Sequence, residues 1–156
     1  MKKTAITLVL AGTWLAISTA EVRAHFLFIH IGPPAEAGRA AEVYFSELAQ
    51  AGDPKFIDKV ARTQLWVQKT PGEFQPLKVR KGADRLRAYL PVSGSVAVVG
   101  ECQYGVIARP NQTPFLLRYY PKAIAGSPDE LNKLQPRSET PLEIMATVEG
   151  EKIAFV

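Results

Sequence analysis

The chain has 156 residues, of which 47% are hydrophobic and 22% are charged, and this balance indicates a single folded domain with an apolar core. Its net charge is +4 and no basic run is longer than Arg80-Lys81, which excludes an extended basic interface of the kind that binds nucleic acid. The single cysteine, Cys102, excludes a disulfide framework within the chain.

The first 24 residues have the pattern of an export signal. Lys2 and Lys3 precede an apolar run over residues 5–17, and small residues at Ala20 and Ala24 offer two cleavage sites. The apolar run is shorter than the roughly 20 residues of an ordinary spanning helix, which favours cleavage over anchoring. We expect the cut after Ala24, with Ala20 as the alternative, and a mature protein in the periplasm or cell envelope without a membrane span.

After residue 25, short apolar runs alternate with turn residues, which is typical of an all-β protein. The predicted strands cover residues 26–31, 41–46, 63–69, 74–79, 85–90, 95–99, 104–108, 114–120, 142–148 and 152–156. We therefore predict one immunoglobulin-like β-sandwich domain over residues 25–156. The strand-like end at Val156 is equally consistent with a native terminal strand and with a truncated chain that lacks a second domain.

Two short helices are predicted between the strands. Asp53 is followed by a proline and predicts the start of a helix over residues 55–61, because aspartate caps a helix and proline fits its first turn. Ser127 and Glu130 have the spacing of a capping box and predict a second helix that continues over residues 131–134. Neither helix is long enough to form a layer of its own.

His25 is the leading candidate ligand for a metal ion. After cleavage at Ala24 it would carry a free amine and an imidazole, two nitrogen donors of the kind that suit nickel, copper and zinc. His30 is five residues away, so in a strand it would face the opposite side and lie about 16 Å along. His30 is therefore a weak candidate that we do not expect to share an ion with His25, and a two-histidine copper oxygenase is disfavoured.

The other ligands of a site at His25 would have to come from elsewhere in the chain. Residues 100–105 place Glu101, Cys102 and Tyr104 between two glycines, which makes Glu101 and Cys102 the next candidates. The alternative is that this segment is a bulged strand connection with Cys102 and Tyr104 facing the core, and that His25 has no ligand role. Further candidate ligands are Asp53, Asp58 and Met145.

Sequence patterns typical of enzymes are missing. The chain has no G-x-S-x-G, no phosphate-binding glycine loop and no H-E-x-x-H, and its carboxylates are scattered. We therefore predict a protein that is not an enzyme.

Several stretches of the chain carry a resemblance to a known family. They are the opening Ala24-His25-Phe26-Leu27-Phe28, Phe45-Ser46-Glu47, residues 52–59 (GDPKFIDK), the Gly-x-Cys-x-Tyr-Gly of residues 100–105, and residues 113–122 (TPFLLRYYPK). With the export signal, they resemble an exported family of unknown function that is grouped with periplasmic components of nickel and cobalt uptake systems. In many members an acidic residue stands at the position of Phe26, and longer members continue into a second β-domain.

The resemblance implies a β-sandwich outside the cytoplasm that handles a transition metal through His25. The first hypothesis is a periplasmic protein that binds nickel, cobalt or copper for uptake or buffering, with a membrane metal transporter as its partner and no nucleic acid. The alternative is a non-catalytic immunoglobulin-like structural or interaction domain without metal.

Overall fold

A computed structural model describes residues 24–35, 38–70, 72–91, 94–127, 130, 133–134, 141–142, 144, 146–150 and 152–155. The expected export signal up to residue 23, Met145 and most of the second predicted helix lie outside these residues. At the start of that helix, the Ser127 hydroxyl donates a hydrogen bond to Glu130 Oε2 at 3.2 Å. The predicted capping box would have the Ser127 backbone N–H donate to the Glu130 carboxylate, but this N–H donates to Ser95 Oγ at 2.8 Å.

Eleven strands and one 3₁₀ helix are found in the described part of the chain. The strands are β1 Phe26–Ile31, β2 Arg39–Ser46, β3 Gln64–Thr70, β4 Glu73–Leu77, β5 Arg80–Lys81, β6 Leu86–Leu90, β7 Val96–Ile107, β8 Phe115–Tyr119, β9 Lys122–Ala125, β10 Ala146–Glu149 and β11 Lys152–Phe155. The helix is Pro54–Val60, and the Asp53 side chain caps it by accepting a hydrogen bond from the Lys55 backbone N–H at 3.0 Å.

The strands form two antiparallel sheets and a separate hairpin. The first sheet has the order β1-β2-β6-β5, and the second has the order β4-β3-β7-β8, with β9 also paired to β7. Strands β10 and β11 form the hairpin, around a turn at Gly150 whose φ of 61° favours glycine.

One apolar core joins the two sheets and the 3₁₀ helix. On β6, Leu86, Ala88 and Leu90 are buried while the residues between them are exposed, so this strand has one inner face. The core also takes Val43 and Phe45 from the first sheet. Its other members include Leu65 and Val67 of β3, Val96, Val98 and Cys102 of β7, and Ile57 and Val60 of the helix. The fold is therefore all-β, consistent with a sandwich.

The predicted break between residues 99 and 104 was wrong, because β7 runs unbroken through it. Strand β3 pairs with one half of β7 and β8 with the other, so cross-strand hydrogen bonds support the backbone on both sides of Gly100. A Cβ at Gly100 would lie 2.9 Å from both Leu65 Cδ2 and Pro121 Cγ. This glycine therefore allows close packing rather than ending a strand.

The predicted bulge in the same segment is present. The β7–β8 register shifts between Gln103 and Gly105, which leaves Tyr104 as the extra residue. Gly105 has a φ of 138°, a conformation that favours glycine. Strands β5 and β9 were not predicted.

Within the described residues, no helix has the length and apolar character needed to cross a membrane.

Candidate functional site

His25 lies against aromatic side chains at the start of β1. Its ring centroid is 4.5 Å from that of Phe56 on the 3₁₀ helix and 5.4 Å from that of Phe45 on β2. The Tyr119 hydroxyl donates a hydrogen bond to the His25 carbonyl oxygen at 3.2 Å. The backbone and the imidazole of this half-buried residue are therefore both held by the body of the protein.

An aromatic cluster formed by Phe45, Tyr104 and Tyr119 lies behind His25. The three ring centroids are 5.6 to 5.8 Å apart in tilted or edge-on arrangements, which are favourable for aromatic pairs. Burial raises the pKa of Tyr119, so its phenol stays protonated and able to donate at neutral pH. The cluster fixes the side of His25 that faces the core.

His25 also lines a polar cavity. It has a volume of about 450 Å³, and its lining includes Asp53 and Glu47 together with His25; we call it the His25–Asp53 cavity. The turn that forms its floor folds back on Ser46, whose hydroxyl donates toward the Gln50 carbonyl oxygen at 2.7 Å. Gly52 permits this close approach, since a Cβ there would lie 2.8 Å from that of Ser46.

The Asp53 carboxylate is the ionised acceptor in this cavity. The Lys55 ammonium and backbone N–H both hydrogen-bond to it, at 2.5 Å and 3.0 Å. These bonds, and to a lesser degree the charge of His25, hold the pKa of Asp53 below its ordinary value. The carboxylate is therefore negatively charged at neutral pH and lies within electrostatic reach of His25.

Glu101 and Cys102 line neither of the two cavities that His25 borders in the described part of the chain. Cys102 is 1% exposed and belongs to the core, where burial raises the pKa of its thiol. Glu101 precedes it on β7 and so faces the opposite side of the sheet, with its Oε1 atom 3.9 Å from the Arg118 guanidinium. The two candidate ligands therefore point in opposite directions.

The remaining candidates are separate from the cavity as well. His30 is exposed and lies opposite Glu42 in the pairing of the edge strand β1 with β2, on the face of β1 opposite the buried Leu27. Asp58 lies on the exposed side of the helix in contact with the Lys81 ammonium. Among the described residues, no group of three or more histidine, cysteine, aspartate or glutamate side chains is arranged to hold a metal ion.

Asp53 was predicted only as one of several possible ligands, and Glu47 was not predicted. Both residues lie in stretches on which the expected family resemblance rests, residues 45–47 and 52–59. The structure brings these two stretches together around His25, from the end of β2 and the start of the 3₁₀ helix.

Comparison with known proteins gives no match, whether to a family model, to a curated protein or to a solved structure.

Proposed function

We propose that the protein, exported and cleaved after Ala24, binds a transition-metal ion at the His25–Asp53 cavity, with nickel and copper as the first candidates and cobalt as the third. The observation that carries this proposal is that His25 and the ionised carboxylate of Asp53 line one open cavity. A positive ion would be attracted to this carboxylate and would have nitrogen donors beside it.

The donor set comes mainly from one residue. Cleavage would give His25 a free amine that can join its imidazole in a chelate, and Asp53 would supply an oxygen. Two nitrogens and a carboxylate suit nickel and copper, and water would occupy the remaining positions. The packing of the imidazole against Phe56 and Phe45 limits its rotation, which lowers the entropy cost of binding.

Lys55 would oppose metal binding at this site. Its ammonium now contacts the Asp53 carboxylate, so an incoming cation has to displace it. Removal of the lysine charge is therefore expected to tighten metal binding, whereas removal of the carboxylate is expected to weaken it. Opposite effects from two neighbouring residues are specific to electrostatic competition, since general loosening of the turn would weaken binding in both variants.

The biological role we propose is metal uptake or buffering in the periplasm, with a membrane transporter that receives the metal. This role rests on the expected export and on the family resemblance. We also propose that the sandwich is immunoglobulin-like, because short strands separated by turn residues follow one another along the chain.

A second candidate is an interaction domain without metal. It is favoured by an exposed apolar pair on the second sheet, where Val106 of β7 is 68% exposed and lies opposite Leu116 of β8, which is 44% exposed. Under this alternative a partner protein would cover these side chains, and His25 would serve only to pack against Phe56.

Calorimetric titration of the exported protein with nickel and copper chloride tests the metal proposal. We expect that His25→Ala, or one extra residue before His25, abolishes binding, and that Asp53→Asn weakens it at least tenfold. Lys55→Gln should tighten it several-fold. The matched control is His30→Ala, which should leave the affinity unchanged. Wild-type affinity in the His25→Ala protein would refute the proposal.

A further inference from the structure

His25 also lines a second cavity, which shares Phe56 with the His25–Asp53 cavity. It has a volume of about 440 Å³, within the range of small-molecule sites, and its walls are mainly aromatic. Its lining includes Phe56 of the 3₁₀ helix, the exposed Phe115 of β8 and the aromatic cluster of Phe45, Tyr104 and Tyr119. We call this cavity the aromatic cleft.

The bulge at Tyr104 forms one wall of the cleft. In a regular strand, Tyr104 and Ile107 would face opposite sides, because they are an odd number of residues apart. The extra residue resets the alternation, so that Tyr104 and Ile107 both line the cleft. The positive φ of Gly105 makes this geometry possible.

The charges around the aromatic cleft have one sign. Lys59 and Arg109 line it, and among the described residues no aspartate or glutamate does. Neither cation forms an ion pair with any residue that the structure describes, and both are exposed. The Lys59 ammonium lies over the Phe56 ring, 5.0 Å from its centre, so a positive charge stands beside an aromatic wall.

We propose that the aromatic cleft binds a small aromatic monocarboxylate. The ring system of such a ligand would pack against Phe56, Phe115 and the aromatic cluster, where edge-on and offset contacts are favourable. Its carboxylate would contact Lys59 and Arg109 at the rim, with charge-assisted hydrogen bonds. The inference does not require a bound metal, although the aromatic cleft and the His25–Asp53 cavity share His25 and Phe56 as lining residues.

The charge of the ligand is the property to test. The exported protein is titrated in EDTA with 2-naphthoate, 2-naphthylmethanol and 2-naphthylmethylamine, which share one ring system and differ in charge. We expect naphthoate to bind at least tenfold more tightly than the alcohol, and the amine to bind most weakly. Equal affinity for the three compounds, or no binding of naphthoate, would overturn the proposal.

Lys59 and Arg109 are exposed, so their charges can be removed without disturbing the core. Lys59→Gln with Arg109→Gln should weaken naphthoate binding at least tenfold and leave the affinity for the alcohol unchanged. The matched control is Lys78→Gln with Arg80→Gln, which removes the same charges away from the cleft. Equal losses in the two double variants would refute a local role of Lys59 and Arg109. Asp53→Asn should retain naphthoate binding, which separates this result from failure of the metal site.

Discussion

The Phe45 ring contacts His25 and the other two rings of the aromatic cluster. Its replacement by leucine measures how much these ring contacts contribute to the free energy of unfolding. The ring is 5% exposed, and its centroid lies 5.4 Å from that of His25, 5.6 Å from that of Tyr104 and 5.7 Å from that of Tyr119. Aromatic pairs of this kind contribute about 0.5–1.5 kcal/mol each beyond the area they bury. Leucine keeps much of the apolar area but makes none of the three ring contacts. We therefore expect Phe45→Leu to lower the free energy of unfolding by about 2–3 kcal/mol.

Urea denaturation followed by circular dichroism measures this loss. The matched control is Phe74→Leu, because Phe74 is half-buried on β4 and makes no ring contact with any residue that the structure describes. It should cost less than about 1 kcal/mol, as volume-conserving apolar replacements usually do. Losses in the two variants that agree within about 0.5 kcal/mol would refute the reasoning that ring contacts hold His25 against the core.

Three further experiments test other parts of the structure. Gly100→Ala should lower the free energy of unfolding by about 1–3 kcal/mol, because the added Cβ would lie 2.9 Å from two side-chain atoms. The control is Gly32→Ala, whose added Cβ has its nearest contact at 3.6 Å and which should change the free energy of unfolding by less than about 1 kcal/mol in the same urea assay. Equal effects of the two replacements would contradict the packing at Gly100. Since burial raises the pKa of the Cys102 thiol, Ellman's reagent at pH 7 should label it only after unfolding, and rapid labelling of the native protein would contradict its burial. A hydrogen bond from Tyr44 and the charge of Arg85 lower the pKa of Glu42 from its ordinary value of 4.5. The ionised carboxylate therefore stabilises the folded state fully at pH values above 4.5, and this contribution is lost as the pH falls through the lowered pKa. Glu42→Gln should therefore flatten the decline of the unfolding free energy in acid, and an unchanged slope would contradict this.

Local patterns in the sequence predicted much of the fold. Strand β1 and the capped helix were predicted nearly at their observed bounds, because an apolar run and an aspartate-proline pair each determine local structure. Strands β5 and β9 are two and four residues long and depend on pairing with β6 and β7, which local sequence does not reveal. The break predicted before Tyr104 failed for the same reason, since neighbouring strands carry β7 across Gly100.

The candidate site was predictable in part. The export pattern made His25 the leading candidate ligand, because this residue follows the expected cleavage site. The alternation of side chains along a strand predicted that His30 faces the opposite side from His25. Which carboxylate lies beside His25 depends on how the turn after β2 folds back toward the helix, and residue types alone do not determine that. Glu101 and Cys102 are adjacent on β7, and adjacent residues of a strand face opposite sides of the sheet. Cys102 therefore faces the core, and Glu101 faces away from it, toward Arg118.

The central claim is that an N-terminal His25 and Asp53 hold a metal ion. Its most direct test is the intact mass, under native conditions, of the protein recovered from the periplasm of cells grown with nickel and copper. The account predicts a chain that begins at His25 and carries one metal ion, which Asp53→Asn loses. A chain that begins at His25 and carries no metal would contradict it.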